Sequence, residues 1–306
     1  MVDVGTGSGI LAYFAIKAGA KKVYAIEASN VADRAAALIK ANNLQDQIII
    51  IKSTVETVTL PEKADIIISE PMGFMLIHER MLESYIIARQ RFLKPGGLMF
   101  PTTGTIYTIP FTDNTLWTEQ ANKVNFWHTK DFYGLDLSSL ADAAMADHFS
   151  QPVVGYIDPA SLLSNNTVNH TIDFSKDDPK SLHHIVLNFD FVINRTGLCH
   201  GLAAWFDVSF NGTTEQYVLN TGPYYPGTHW YQCRLLLREP IAVNSGQRVQ
   251  GTLHMVANDR YSYNMTLTMK LAGSEATTAD HQPISSNVSI NLHDQMYHYL
   301  NASYGK

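Results

Sequence analysis

A glycine-rich turn near the start of the chain constrains the fold more than any other feature. Residues 1–9 have the sequence MVDVGTGSG, which predicts the end of a buried strand followed by a tight turn. A helix pattern begins at about Ile10 and runs to Gly19, a residue type that commonly terminates helices. A short strand from Lys22 to Glu27 follows and ends in an acid. This order predicts a βαβ nucleotide-binding unit.

The spacing of the glycines separates two classes of nucleotide-binding turn. A dinucleotide fingerprint would need Gly5, Gly7 and a third glycine at position 10, which is isoleucine. The pattern present is D-x-G-x-G-x-G, running from Asp3 to Gly9. It resembles motif I of the class I methyltransferases that use S-adenosyl-L-methionine. Glu27, at the end of the second strand, is then placed to bind ribose hydroxyls.

Two acidic residues nine positions apart, Glu70 and Glu79, lie in an otherwise apolar segment. Residues 68–81 have the sequence ISEPMGFMLIHERM, which follows an apolar strand over residues 64–69. A helix-like stretch from about residue 81 to residue 92 comes next. Two carboxylates in an apolar loop at the carboxyl end of a strand are placed to bind a cation. The alternative is a pair of solvated surface acids.

Composition excludes several classes of protein. The 306 residues are enough for one large domain or two ordinary ones, and 45% hydrophobic with 16% charged residues argues against disorder. A net charge of −6 argues against direct nucleic-acid binding. No apolar run approaches the roughly 20 residues that span a membrane. Cys199 and Cys233 form no disulfide or metal framework, which favours a reducing compartment.

The pattern of elements divides the chain into two halves. Residues 1–101 alternate helices with solid apolar strands such as residues 48–51, as in a buried parallel sheet, and KPGG at residues 94–97 closes the last helix. After residue 102 the predicted strands are short and partly alternating, which is typical of an antiparallel barrel or sandwich. These strands are 105–110, 184–192, 203–210, 231–237 and 248–258.

A helical insertion interrupts the second half. Residues 112–150 contain two helix-like stretches, at residues 114–124 and 138–149. The aromatic side chains between them either form a partner surface or pack onto the barrel; they are Phe126, Trp127, Phe132 and Tyr133. The tail after about Ala272 is rich in Ser, Thr and Asn and is predicted to be irregular.

Taken together, these motifs resemble the type I protein arginine methyltransferases. The loop around Glu70 and Glu79 and the triplet Thr228-His229-Trp230, which matches the family's THW loop, carry the resemblance. Residues 126–154 and 198–210 are most similar to the coactivator-associated, histone H3-modifying branch. The resemblance implies an α/β fold: a class I methyltransferase Rossmann-like domain (1–101), then an antiparallel β-barrel (102–306) with a helical dimerisation arm (112–150).

The resemblance also implies roles for individual residues. Glu70 and Glu79 would hold one guanidinium group, since each carboxylate can accept bidentate bonds from it. The implied catalytic residues are Glu70, Glu79 and His229; the implied cofactor-binding residues are Gly5, Gly7, Gly9, Glu27, Glu56 and Ser84; and the implied substrate-binding residues are Met72, Phe74, Met81 and Trp230.

Several of these residues have structural alternatives. Glu56 is otherwise a surface acid, and the two methionines are otherwise filler in a core. His229 accepts the released proton or only orients Glu70 or the backbone. Trp230 walls the arginine channel or packs in the core.

The chain departs from the family at three positions near the site. Thr6 stands where the family usually has Cys, Phe74 where it has Tyr, and His78 where the branch commonly has Asn. Met1 falls inside the first predicted strand, so we expect an N-terminally truncated fragment or isoform. It would lack the helices that fold over the cofactor and the arginine that binds the methionine carboxylate.

The implied function is asymmetric dimethylation of arginine in proteins such as histone H3, with S-adenosyl-L-methionine as cofactor. The resemblance further implies a homodimer, transcriptional coactivators as partners, and a nuclear and cytoplasmic location, with no direct contact to nucleic acid or membrane. One alternative is a class I methyltransferase acting on a nucleic-acid amine, although Glu70-Pro71-Met72 lacks the Pro-Pro-aromatic loop of that class. Another is a truncated chain that only binds partners or dimerises.

Overall fold

The computed structural model describes residues 1–273 and 284–298. Its first half is a five-stranded parallel sheet in the order β3-β2-β1-β4-β5. The elements are β1 (Val2–Val4), α1 (Ile10–Lys17), β2 (Val23–Glu27), α2 (Val31–Ala41), β3 (Ile48–Lys52), β4 (Ala64–Ser69), α3 (Met81–Phe92) and β5 (Leu93–Phe100).

Burial explains why these segments form a parallel sheet. The central strands β1 and β2 are almost wholly buried, as expected for strands covered on both faces. Helix α2 packs on the sheet through Ala32, Ala35 and Ile39, whose spacing places them on one face of a helix. Among the described helices, none is both long and apolar enough to cross a bilayer.

The second half contains two antiparallel sheets, a seven-stranded one in the order β16-β7-β12-β10-β6-β8 with β11 on β10, and a four-stranded one in the order β15-β14-β13-β9. The strands are β6 (Thr103–Phe111), β7 (Val153–Gly155), β8 (Val168–Asp173), β9 (His184–Val192), β10 (Gly197–Asn211), β11 (Gln216–Asn220), β12 (Gln232–Val243), β13 (Arg248–Asn258), β14 (Ser262–Leu271), β15 (Ser285–Asn291) and β16 (Met296–Tyr297). The short pairing of β16 with β7 is parallel. The predicted fold class is confirmed.

The helical insertion is also present. Helix α4 (Asn114–Asn125) begins at Asp113, whose side chain accepts a hydrogen bond from the backbone N–H of Leu116. Helix α5 (Ala141–Phe149) completes it. Of the four aromatic residues between the helices, Trp127 packs against the core, whereas the other three, Phe126, Phe132 and Tyr133, are exposed.

The structure corrects two predictions. Residues 94–97 do not close α3 in a turn but lie in β5, where Gly96 takes a positive φ of 76° and the strand shifts its register against β4. The tail is not irregular throughout, because β15 pairs with β14 over seven residues. Buried and exposed residues alternate regularly in β15, but Ser and Asn fill most of its positions, so the sequence shows little apolar alternation. Residues 274–283 and 299–306 lie outside the described residues.

The two halves are joined at residues 100–102, and Tyr85 of α3 contacts both this junction and the second half. The Tyr85 ring is buried edge-on against Phe174 of the second half, with ring centres 5.7 Å apart. Its hydroxyl donates to the carbonyl oxygen of Pro101 at 2.7 Å. This contact fixes the start of the second half against α3, the helix that follows the Glu70–Glu79 loop.

We expect Tyr85→Phe to lower the free energy of unfolding by about 1–2 kcal/mol, because it leaves the buried carbonyl of Pro101 without its donor. Urea denaturation followed by tryptophan fluorescence measures the change. Tyr261→Phe is the matched control, since the Tyr261 side chain is exposed. Equal midpoints for the two variants would contradict the role of the Tyr85 hydroxyl.

Candidate active site

The carboxyl ends of four parallel strands bring the predicted site residues to one edge of the sheet. The glycine turn follows β1, Glu27 ends β2, Glu56 follows β3 and Glu70 follows β4. Ligands of open α/β sheets bind outside this edge. Residues far apart in sequence therefore lie at one edge of the sheet, called here the cleft because ligands of such sheets bind there.

The glycine turn adopts a backbone that other residues rarely take. Gly5, Gly7 and Gly9 have φ values of 68°, 53° and 89°. A methyl group on Gly5 would lie 2.1 Å from Cε of Met81, so the first residue of α3 packs directly on the turn. Nothing lies within 4 Å of the same position on Gly7. The turn is thus closed at Gly5 and open at Gly7.

Glu27 holds the open part of the turn. Its carboxylate accepts hydrogen bonds from the backbone N–H of Gly7 at 3.0 Å and of Ser29 at 2.8 Å. Partial burial opposes ionisation of Glu27, but these bonds outweigh it and lower the pKa. The residue stays anionic at the end of β2, where a carboxylate can accept hydrogen bonds from ligand hydroxyls.

Thr6, one of the three departures from the family pattern, has a structural explanation. Its hydroxyl donates to the Asp3 carboxylate at 2.5 Å. Asp3 is fully buried, and burial raises its pKa to about 6 although the Thr6 hydrogen bond opposes the shift. A hydroxyl at position 6 therefore supplies a strong donor to a buried acid beneath the turn.

Glu56 and Ser84 lie together, although 28 positions separate them. The Ser84 hydroxyl on α3 donates to the Glu56 carboxylate at 2.6 Å. Both residues flank the cleft edge, because Glu56 follows β3 and α3 follows the loop after β4. Glu56 is exposed at this edge.

Residues 70–80, called here the carboxylate loop, form a double turn. Met75, Leu76, Glu79 and Arg80 all have positive φ, between 52° and 73°. The backbone N–H of Leu76 donates to the carbonyl of Gly73 at 3.0 Å. Four left-handed residues other than glycine persist only where surrounding structure enforces them.

That surrounding structure is the second half of the chain. The loop buries three successive apolar side chains, those of Met75, Leu76 and Ile77. Gly104 of β6 permits this close approach, since a methyl group there would lie 2.7 Å from Cδ2 of Leu76. The apolar residues between the two glutamates are therefore anchors, and the acids at either end remain exposed.

The two carboxylates are electrostatically coupled. Although Glu70 keeps accessible surface, the loop partly removes its carboxylate from water, and this partial burial raises its pKa to about 7. The N–H of Met72 opposes the shift with a hydrogen bond of 3.3 Å, and the charge of Glu79 adds to it. Within the described residues, no lysine, arginine or histidine forms an ion pair with either carboxylate. The pair is a negatively charged site without an internal cation.

The triplet Thr228-His229-Trp230, just before β12, contacts the carboxylate loop through Trp230. The indole N–H of Trp230 donates to the carbonyl oxygen of Met72 at 2.9 Å, and its ring packs edge-on against Phe206. The His229 ring is exposed and lies 3.8 Å from the Trp230 ring, centre to centre. In the described part of the chain, the His229 ring has no hydrogen bond to Glu70. Trp230 is half-buried: it packs on Phe206 and is hydrogen-bonded to the carboxylate loop two residues after Glu70.

Two residues that contact the barrel from within the loop had no role in the sequence prediction. His78 stacks on Phe74 and hydrogen-bonds to Ser262, and Arg80 donates to the carbonyl oxygen of Asn258. Sequence singled out His78 only as a departure from the branch and did not single out Arg80. Their barrel partners lie 184 and 178 positions away, which no local pattern indicates.

Comparison with known proteins agrees with this architecture. Residues 102–275 match the family described as the arginine methyltransferase oligomerization subdomain, and residues 1–101 match the ribosomal protein L11 methyltransferase family. The solved structure of Arabidopsis thaliana protein arginine methyltransferase 10 superposes with a TM-score of 0.83 at 30% identity, covering 95% of this chain and 88% of that one. A Trypanosoma brucei PRMT1 enzyme–prozyme complex with AdoHcy has a TM-score of 0.80 at 29% identity, with the same coverage.

Curated relatives give the same family. The histone-arginine methyltransferase CARMER of Anopheles gambiae is 46% identical over 99% of this chain and 47% of its own length. A probable histone-arginine methyltransferase CARM1 of Oryza sativa subsp. indica is 53% identical over 88% of this chain and 51% of its own. The chain spans about half the length of these relatives. With its glycine turn, carboxylate loop and antiparallel half in place, the chain belongs to the protein arginine methyltransferase family.

Proposed function

We propose that this chain transfers methyl groups from S-adenosyl-L-methionine to arginine guanidinium nitrogens, forming asymmetric dimethylarginine in histones such as H3. The observation that carries the proposal is the coupled pair Glu70 and Glu79, exposed beside the glycine turn with no internal cation among the described residues. Such a pair favours a cationic ligand, because a cation offsets the burial and the repulsion by Glu79 that together raise the Glu70 pKa.

The cofactor fits the cleft edge. The left-handed glycine turn, open at Gly7, allows close approach of a ligand to the backbone, and Glu27 is an anionic acceptor for ribose hydroxyls. Glu56 and Ser84 would contact the adenine side. S-adenosyl-L-methionine supplies an electrophilic methyl group on its sulfonium. The related Trypanosoma brucei complex was solved with AdoHcy, which supports this choice of cofactor.

The two carboxylates help the arginine guanidinium, which is a poor nucleophile, to accept a methyl group. The guanidinium group has a pKa above about 12, and its nitrogen lone pairs are delocalised. Glu70 and Glu79 bind the planar group through charge-assisted hydrogen bonds, which fix its plane. They also draw positive charge away from the nitrogen that faces the methyl group. Correct orientation of this nitrogen is the main catalytic contribution of the pair.

The remaining site residues shape the pocket and its outlet. His229, exposed beside Trp230, accepts the proton that the methylated nitrogen releases. Trp230 and Phe74 wall the channel of the arginine side chain. Met81, which packs on Gly5, and the buried Met72 crowd the acceptor nitrogen and so limit how many methyl groups it receives.

Substrate, location and domain roles follow the same proposal. The names of the relatives support histone substrates, so the proposed activity takes place in the nucleus. We propose a cytoplasmic location as well. Transcriptional coactivators are the proposed partners, with neither nucleic acid nor membrane bound directly. Residues 1–101 form the cofactor domain and residues 102–306 the substrate domain, with residues 112–150 as its arm.

The arm makes the protein a homodimer in this proposal. Its tip exposes apolar side chains, with Leu135 62% and Tyr133 97% accessible. The outer helices of the parallel half expose apolar side chains as well, among them Phe14 of α1 and Leu38 of α2. Exposed apolar patches of this kind mark protein–protein contacts, and the arm of one copy would cover the helices of the other.

We expect Glu79→Gln to lower kcat on a histone H3 peptide by about 100-fold or more, because it removes half of the charge that orients the guanidinium. The dissociation constant for S-adenosyl-L-methionine, measured by calorimetry, should stay within about twofold, since Glu79 lies outside the glycine turn. Glu239→Gln on β12 is the control, an exposed acid elsewhere.

The outcomes of this assay separate the competing functions. Methyl transfer to the peptide, detected by mass spectrometry, supports the proposal. Labelling of RNA but not peptide would favour a nucleic-acid acceptor. Cofactor binding without any labelling would favour a chain that only binds partners, and wild-type kcat in Glu79→Gln would refute the role of the pair.

The affinity for an arginine peptide should increase as pH rises through about 7. Below that pH the raised pKa leaves free Glu70 protonated and neutral, so the site lacks part of the charge that the guanidinium needs. Calorimetric titration on both sides of this pH measures the effect. In Glu70→Gln binding should be weak and nearly independent of pH, and an unchanged pH dependence there would assign it to another group.

Leu135→Asp or Phe14→Asp should convert the dimer to a monomer, because each places a charge in the proposed apolar contact. Light scattering after size-exclusion chromatography gives the mass. Val192→Asp is the matched control, an aliphatic residue at the end of β9 with 56% exposure. A mass unaffected by either arm or helix variant would contradict this mode of dimerisation.

A further inference from the structure

Glu79 occupies a conformation that its own residue type does not favour. Its φ is 73°, and that of Arg80 is 55°, both in the left-handed region. The Glu79 side chain is exposed and its carboxylate forms no ion pair in the described part of the chain. The direction of this carboxylate therefore depends on what holds the residues on either side.

His78, the residue before Glu79, is held by the four-stranded sheet and the segment after it. Its Nδ1 lies 3.0 Å from the hydroxyl of Ser262, the first residue of β14. Its Nε2 lies 3.3 Å from the amide nitrogen of Gln295. The ring also stacks on Phe74 within the loop, with centres 5.9 Å apart.

The partners of His78 define one protonation state. The Gln295 amide nitrogen donates to the carbonyl of Leu292 and to Nε2 of His78, so Nε2 is an acceptor. Nδ1 then carries the proton and donates to Ser262. This neutral tautomer agrees with burial, which lowers the pKa of His78, and with the nearby His293, which lowers it further.

Arg80, the residue after Glu79, is held by the same sheet. Its guanidinium makes a bidentate pair with Glu83, at 2.7 and 3.0 Å, which orients it. The remaining nitrogen donates to the carbonyl oxygen of Asn258 at 2.7 Å. Asn258 is the last residue of β13.

The two contacts converge on one turn. Asn258 and Ser262 are directly opposite each other at the end of the β13–β14 hairpin. The Asn258 side chain closes the turn by accepting from the backbone N–H groups of Arg260 and Ser262, at 3.0 and 3.2 Å. Both neighbours of Glu79 thus contact the two ends of a single hydrogen-bonded turn.

We propose that His78 and Arg80 are positioning residues for Glu79, and that the β13–β14 turn orients this carboxylate through them. The inference rests on the proposed function, in which Glu79 binds the guanidinium. Loss of the contacts of either residue with the β13–β14 turn leaves the glycine turn intact but lets Glu79 leave its left-handed conformation. The effect is then on kcat and not on cofactor affinity.

Two substitutions of His78 separate hydrogen bonding from ring stacking. His78→Phe keeps a ring against Phe74 but removes both hydrogen bonds, and kcat on an arginine peptide should fall about 10-fold or more, as for small misplacements of catalytic groups. His78→Gln keeps a donor and an acceptor and should restore kcat to within about threefold. His254→Phe, an exposed histidine of β13, is the control and should keep wild-type kcat.

Substitutions on other members of the network test the same link. Ser262→Ala and Arg80→Met should each lower kcat with the S-adenosyl-L-methionine dissociation constant unchanged. The double variant His78→Phe with Ser262→Ala should lose little more than His78→Phe alone, because both remove one interaction. Full additivity of the two effects would overturn the proposal.

Hydrogen exchange gives a readout that does not require turnover. The amides of His78 and Arg80 donate to Phe74 and Ile77 within the loop, and both should exchange faster in His78→Phe while amides of β1 and β4 stay unchanged. Wild-type kcat or unaltered exchange in His78→Phe would overturn the proposal. A wild-type chain that methylates no arginine peptide would instead contradict the proposed function, and the exchange result still decides whether the contacts with the β13–β14 turn exist.

Discussion

The carboxylate loop depends on its attachment to the antiparallel half of the chain. The hydrogen bond from Trp230 to the Met72 carbonyl joins the two halves two residues after Glu70. The buried side chains of Met75 and Leu76 extend this attachment across the middle of the loop. Because four residues of the loop are left-handed, the loop cannot keep its shape by itself. The two halves therefore form one site.

The electrostatics of the site follow from this enforced geometry. Packing holds two carboxylates near each other, and the raised pKa of Glu70 reflects burial together with their repulsion. A cation beside the pair would offset this repulsion, which is why the proposed function assigns it a positively charged side chain. Glu27 differs because backbone N–H groups stabilise its charge without any ligand. In the proposed function, Glu27 is the acceptor on the cofactor side and Glu70 with Glu79 forms the cation-binding pair on the substrate side.

Local sequence pattern was sufficient to predict an element where residues close in sequence stabilise it. The strand, glycine turn and helix at residues 2–17 were predicted because apolar runs and glycine spacing are local signals. The same reasoning failed at residues 94–97, where Pro and Gly indicate a turn but pairing with β4 draws them into a strand. It failed again at β15, whose pairing with β14 overrides a weakly apolar sequence.

The amino-acid sequence by itself determined the order of elements, the glycine turn and the presence of two acids in an apolar loop, because these depend on residue type and spacing. Only the tertiary structure decided how the acids are held. The contacts of His78, Arg80 and Trp230 join positions 184, 178 and 158 residues apart. Such contacts arise from the packing of one half of the chain on the other, and no periodicity within either half encodes them.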